Sequence, residues 1–326
     1  MGLRYQPAPG LALRATWGTS FKAPQFSQEA QPVGAYLYQA ATLGGSSGQA
    51  LLAYGGNTQL KPERSTSWTA GVDWSPPQLR SLVVSLTYFN IDYTNRIILP
   101  FTTPAGALSN PANTPFIVVD PTTAQQAAAI AAAPTLINAS GQPYDPANVV
   151  ALLEGRYINA SLQKIDGVDL SIKQGFTLPL GHLDAFAAAS WLHIEQQLAA
   201  GAPSQTVTGT LFNPPTARVR SGLTWVFGGF SSTGVLNWVS GETDNGVTPN
   251  VPISAWTTMD FTVTYKFGRL TPQLPGLEST LAITNAFDRA PPYARGAGAQ
   301  YAGYDFDSTN ASAIGRFISL TLRQRF

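Results

Sequence analysis

In "WTTMDFTVTYKF", residues 256–267, the apolar Met259, Phe261, Val263, Tyr265 and Phe267 alternate with Asp260, Thr262, Thr264 and Lys266. A period of two belongs to a β-strand with one apolar and one polar face. Ten segments of this kind recur, and that recurrence limits the fold more than any other feature. They cover residues 11–21, 65–74, 81–93, 166–176, 182–195, 218–227, 230–241, 256–267, 277–287 and 315–326. In the alanine-rich fifth, "HLDAFAAASWLHIE", the alternation leaves open which face is which.

The connections between the ten alternate long and short. Long ones are expected at about 22–63, 94–160, 196–216, 241–254 and 288–313, and short ones such as "SPPQLR", "TLPLG" and Gly228-Gly229 lie between them. All long loops then lie at one end of an up-and-down sheet, as in outer-membrane barrels. An immunoglobulin-like sandwich also has short alternating strands, but it does not need its long loops on one side only. Two loop pieces read as helices: "TTAQQAAAIAAA", capped by Thr122 or Thr123 and stopped by Pro134, and "DPANVVALLEG", with Pro146 early and Gly155 late.

Charged residues are 11% of the chain, less than half of the roughly 25% of a soluble domain. No apolar run approaches the roughly 18 to 20 residues of a spanning helix. Little charge without a spanning helix suits a transmembrane β-barrel, whose strands carry alternate lipid-facing and lumen-facing residues. Aromatic Trp68, Trp74, Phe176, Phe227, Tyr265 and Phe267 sit on the apolar side near strand ends, where rings favour the headgroup layer; the alternative for them is the core of a sandwich. A net charge of +1 gives no case for nucleic acid as a partner. Zero cysteines exclude disulfides and thiolate chemistry. "MGLRYQPAPG" has neither the basic nor the apolar region of a signal peptide, so the chain is expected to be the C-terminal piece of a longer one.

Six stretches carry a family resemblance. "LRATWGTSFKAPQFSQ", "GGNTQLKPERSTSWTAGVDW", "YFNIDYTNRI", "IDGVDLSI", "TNAFDRAPPY" and the terminal "YDFDSTNASAIGRFISLTLRQRF" stand in the order seen in the barrel half of TonB-dependent outer-membrane receptors, which this chain resembles over nearly its whole length. The resemblance implies an all-β fold: an antiparallel up-and-down transmembrane β-barrel of about 22 strands with a plugged lumen, of which this chain supplies about ten C-terminal strands without the plug. It implies a bacterial outer-membrane transport receptor for a large scarce solute, a ferric siderophore or an oligosaccharide. Its expected partners are the lipid bilayer, its own plug and remaining barrel strands, the TonB complex acting through that plug, and the barrel-assembly machinery. The terminal Ile318, Leu320, Leu322 and Phe326 resemble the signal that this machinery reads, although Gln324 departs from the pattern, and Phe326 also reads as a last girdle aromatic.

Lumen-facing, plug-docking positions are expected at Asp73, Asp169, Lys173, Arg218, Arg220, Asp260, Lys266 and Arg323. Their mixed signs favour salt bridges over a one-signed ion filter. Loop aromatics Tyr36, Tyr38, Tyr54 and Tyr301 are the candidates for ligand contact by stacking, with loop packing as the alternative. No catalytic, cofactor or metal site is expected. His182 and His193, eleven residues apart on one strand, would stand about 36 Å apart at about 3.3 Å per residue. Asp166, Asp169 and Glu154 read as lumen-solvated acids rather than a catalytic pair. In "NAFDRAPPY", Asn285 and Asp288 read as turn residues. Two other classes remain open on the residues: a passive porin, and a soluble all-β carbohydrate-binding or hydrolytic domain.

Overall fold

The computed structural model describes all residues except 80, 102–105, 200, 201, 270–275, 301, 302, 304 and 326. From the N-terminus come β1 (Gly2–Ala8), β2 (Leu11–Lys22), helix α1 (Phe26–Ala30), β3 (Gly34–Gln39), β4 (Gln49–Gly55), β5 (Glu63–Trp74) and β6 (Val83–Ile98). Then follow β7 (Ile117–Val119), α2 (Thr123–Ala131), β8 (Leu136–Asn138), β9 (Val149–Arg156), β10 (Ile158–Leu178), β11 (Gly181–Gln197) and β12 (Gln205–Thr206). The last part holds β13 (Ala217–Phe227), β14 (Phe230–Val239), β15 (Glu242–Asp244), β16 (Val251–Ile253), β17 (Trp256–Lys266), β18 (Leu277–Thr284), α3 (Ala297–Gln300) and β19 (Phe317–Gln324).

The main sheet runs β1-β2-β5-β6-β10-β11-β13-β14-β17-β18-β19, with β12 added on β11. Every one of its pairings is antiparallel. All ten alternating segments are in it, in chain order, and β1 is an eleventh. The sheet does not close, because β1 and β19 are its two free edges. Short turns join the strands at one end. At the β10–β11 turn, Gly181 has φ +106, and a Cβ there would lie 2.1 Å from the Val226 carbonyl oxygen, so no other residue fits.

Register carries the two faces across the sheet. The row Asp73, Ser85, Ser171, Ala188, Arg220, Asn237 and Thr258 is continuous through direct cross-strand pairs. The opposite face bears the row Val84, Ile172, Ala187, Ser221, Leu236 and Met259. The fifth segment's facing follows: Ala185, Ala187, Ala189 and Trp191 on the apolar face, Asp184, Phe186, Ala188 and Ser190 on the polar one.

Aromatic rows bound the apolar face. Toward the short turns stand Trp74, Phe176, Trp225, Phe227, Phe230 and Tyr265, with Trp225 and Phe227 stacked at 6.2 Å and Trp225 edge-on to Phe230 at 5.6 Å. The Trp225 indole N–H donates to the Leu180 turn carbonyl at 2.8 Å. Toward the long loops stand Trp17, Trp68, Tyr88, Trp191 and Trp238, with Trp17 opposite Trp68 and Trp68 5.0 Å from Tyr88. From Phe176 to Val168, the partner of Trp191, is about 26 Å along the strand at about 3.3 Å per residue. Those nine residues, Val168 to Phe176, match the roughly 9–11 residues with which a tilted strand crosses a membrane.

The longest connections fold on themselves. A mixed five-stranded sheet, β7-β9-β4-β3-β8, is built from residues of the first two long loops. On one side Leu37, Leu51 and Val149 are covered by Ile130 of α2, Leu136, Tyr144 and Leu152. On the other, Leu52, Ala151, Leu153, Phe101 and Phe116 pack with Ile98, Ile158 and Leu198 at the ends of the main strands, which seats this sheet on the main one. α2 begins at the expected Thr122, whose hydroxyl accepts the Gln125 N–H at 3.3 Å while the Gln125 side chain accepts the Thr122 N–H at 2.8 Å. The expected helix in "DPANVVALLEG" is corrected. Only Pro146–Asn148 turn, and Val149–Arg156 is a strand between β4 and β7, with Val149, Ala151, Leu153 and Gly155 alternately buried. Two flanking strands satisfy its backbone on both sides, which a helix lying on the sheet would leave undone.

Candidate transport surface

All eight expected lumen-facing residues share the polar face. Asp73 is opposite Ser85, Lys173 opposite Phe186, Asp169 opposite Ser190 and Ser190 opposite Arg218, and Lys266, Glu278 and Arg323 form one cross-strand row. Near β2 the Arg14 guanidinium meets the Asp73 carboxylate at 3.2 Å and donates to Ser85 at 3.0 Å and to Thr87. The Ser85 hydroxyl also donates to Asp73 at 2.8 Å. Arg14 can lie flat here because position 71 is glycine: a Cβ would come within 2.9 Å of the guanidinium carbon. Farther along, Ser190 donates to Asp169 at 2.6 Å. Arg220 donates to Asn237, Asn237 to Asp260 at 2.8 Å, and the Asn285 backbone N–H to Asp260 at 2.9 Å. Arg218 reaches up to Asn310 in the last long loop. A recess of about 480 Å³ opens between Ser85, Asp169, Ser190, Arg218, Arg220 and Asn237. Among the described residues, only Asp73 of the eight expected is in an ion pair, so the face carries both signs and is held by hydrogen bonds to Ser, Asn and backbone groups rather than by the expected salt bridges.

Phenylalanines on the same face lie over glycines of neighbouring strands. A Cβ at Gly167 would stand 2.6 Å from the Phe89 ring, and one at Gly222 2.8 Å from the Phe186 ring. The rings cover bare backbone and pin register.

Asp166 and Asp169 do not share a face. Asp166 is opposite Asn90 and His193 and belongs with the apolar side, one residue pair beyond the Trp191 row, so its expected lumen position is corrected. Odd spacing in a strand puts two residues on opposite sides. Glu154 is in neither row: it pairs with Arg156 at 2.6 Å in the loop sheet. Each histidine is bound to a carboxylate two residues on, His182 to Asp184 at 3.0 Å and His193 to Glu195 at 3.5 Å. Among the described residues no group of three or more His, Cys, Asp or Glu could hold a metal. Asn285 and Asp288 are the expected turn residues: both have positive φ, the Asn285 side chain accepts the Arg289 N–H at 2.9 Å, and Asp288 accepts the Arg316 N–H at 2.7 Å.

Three of the four loop tyrosines gather on one face of the loop sheet. Tyr36 stacks on Tyr38 at 6.0 Å and meets Tyr54 edge-on at 6.2 Å. Tyr36 and Tyr38 are half-buried against the core that seats the loop sheet, and burial first, then the neighbouring Tyr36, raises the Tyr38 phenol above its ordinary value. The Tyr54 hydroxyl accepts from Gln31 at 3.0 Å. Tyr301 lies outside the described residues. So does Phe326, while Ile318, Leu320 and Leu322 stand on the apolar face of the free edge strand, 59%, 68% and 68% exposed.

The profile of the family described as TonB dependent receptor-like, beta-barrel matches residues 1–286. The chain belongs to that TonB-dependent receptor β-barrel family. Its barrels are outer-membrane proteins, and the two-faced sheet is a part of such a wall. The chain is similar in fold to the siderophore receptor PirA from Acinetobacter baumannii, with a TM-score of 0.62 at 14% identity, covering 100% of this chain and 40% of that one. It is similar to a mutant of the ferric enterobactin receptor PfeA from Pseudomonas aeruginosa, with a TM-score of 0.61 at 19% identity over 98% of this chain and 39% of that one. For the ferripyoverdine receptor of the outer membrane of Pseudomonas aeruginosa the TM-score is 0.55 at 15% identity, over 99% and 32%. The chain thus spans about a third to two-fifths of the length of these receptors. No curated protein matches it in sequence.

Proposed function

We propose that the chain is the C-terminal part of the barrel of an outer-membrane receptor that takes up ferric siderophores, energised by the TonB complex through a plug domain in the lumen. The family match carries this reading, and the solved receptors of like fold are siderophore receptors by name. On this reading the apolar face with its two aromatic rows meets lipid, and the Arg14–Asp73 and Arg220–Asn237–Asp260 networks line the lumen and meet the plug. The long-loop end is extracellular, β1 and β19 pair with the remaining barrel strands, and Ile318, Leu320, Leu322 and Phe326 are read by the barrel-assembly machinery.

Ligand contact falls to the loops, with Tyr36, Tyr38, Tyr54 and Tyr301 as stacking residues. The test is uptake of radiolabelled iron, presented as ferric siderophores, by receptor-null cells carrying the full-length gene. Uptake that requires both the receptor and TonB is expected; uptake that persists without TonB, or none with any siderophore tried, overturns the reading.

A further inference from the structure

Three loop segments meet beyond the long-loop ends of β13, β14 and β17: residues 206–216, the β15–β16 hairpin, and 305–311. Asp307, buried at their junction, is held by four N–H donors. Phe212 N donates to Oδ2 at 2.7 Å, Thr309 N and Asn310 N to Oδ1 at 2.7 and 3.2 Å, and Asn310 Nδ2 to Oδ2 at 3.1 Å. Asn310 also donates to the Asn213 carbonyl at 2.7 Å and accepts from Arg218. Asp244, two residues along β15 from Glu242, has its own donors, Gly246 N at 3.0 Å and Gly296 N at 2.6 Å.

Glu242 is treated differently. It is 8% exposed, and its Oε1 is buried without a hydrogen-bond partner. Beside it is a cavity of about 20 Å³, lined among others by Ser240, Ser254, Asp307 and Asn310, room for a single water. Two carboxylates in contact out of water cannot both ionise without a large cost. The one with no donor, Glu242, is the one that takes the proton.

We propose that Glu242 is carried as the neutral acid, and that its proton, shared with Asp307, is a latch that holds the β15–β16 hairpin onto the 305–311 segment and opens in alkaline surroundings. The charged groups facing it are Asp307 from that segment and Arg218 from β13. Burial and the hydrogen bond and charge of Asp307 outweigh Arg218 and push the Glu242 carboxyl up to about 8. When the proton leaves to solvent, Asp307 keeps its four donors, so the hairpin is the part that lifts.

The experiment is amide hydrogen exchange on the full-length receptor in detergent, from about pH 6 to about pH 10, corrected for the intrinsic pH dependence of exchange. Protection in 242–254 and 305–311 is expected to fall about tenfold per pH unit from about pH 6 and to level off above about pH 8, while E242Q stays level throughout. Infrared titration of the unmodified receptor gives a second readout: a protonated-carboxyl band that disappears around pH 8. Flat protection to pH 10, the same fall in E242Q, or no carboxyl band titrating above pH 6 overturns the proposal.

Discussion

Ile172 and Ser171 are neighbours in β10 that face opposite sides of the sheet, and Ile172 lies four residues from both Phe176 and Val168, midway between the aromatic rows. A lysine at 172 would place a charge near the middle of the hydrocarbon, at a cost of roughly 2–4 kcal/mol. At 171 it would stand on the polar face between Asp169 and the native Lys173, where opposing neighbours offset one another and exposed charges interact by only about 0–1 kcal/mol. The natural Lys173, one residue beyond Ile172, already occupies the polar side. Ile172→Lys is therefore expected to shift the folding equilibrium of the full-length receptor about 30- to 1,000-fold, and Ser171→Lys less than about fivefold. Denaturant unfolding and refolding in lipid vesicles reads both. Equal losses, or a larger loss at 171, would refute the assignment of faces.

Gly167→Ala is expected to destabilise the barrel by about 1–3 kcal/mol, because its Cβ would come 2.4 Å from the Trp191 carbonyl oxygen as well as against Phe89; Phe89→Leu should not rescue it, as denaturant midpoints will tell. A double-mutant cycle on Arg14 and Asp73, each about one-third exposed, is expected to give a coupling below about 1 kcal/mol, and a value several times larger would mean that the plug buries the pair. For Glu242, a carboxyl raised from 4.5 to about 8 contributes stability that is complete below about pH 4.5 and lost as pH rises through about 8. Loop melting should follow that course in the unmodified receptor and be level in E242Q. Tyr54→Ala is expected to weaken siderophore affinity while the loop sheet stays protease-resistant; unchanged affinity removes Tyr54 from the site.

The main sheet was legible because each of its strands keeps one face apolar and the other polar, which is visible locally. β1 was missed because Pro7, Pro9 and Gly10 interrupt a short pattern in which Leu3 and Tyr5 carry the alternation alone. β4 and β9 were missed for the opposite reason. "ALLAY" and "VALLEG" are covered on both sides, so their apolar residues run on without alternation, and such a run does not distinguish strand from helix. Asp166 is close to Asp169 in sequence, but odd spacing along a strand sets the two on opposite faces. The Glu242–Asp307 pair had no local signal: each acid sits in an ordinary polar loop, and only tertiary packing brings them together. The tyrosine trio was named from composition, but that two of its members help seat the loop sheet depends on long-range contacts.

The chain has no cysteine, so single cysteines placed at 168–173 in the full-length receptor can carry spin labels without competition. Collision rates with oxygen, which concentrates in hydrocarbon, and with a polar nickel chelate test the two-faced sheet most directly. Labels at 168, 170 and 172 are expected to favour oxygen and those at 169, 171 and 173 the chelate. Equal access of the chelate to all six positions would contradict the account.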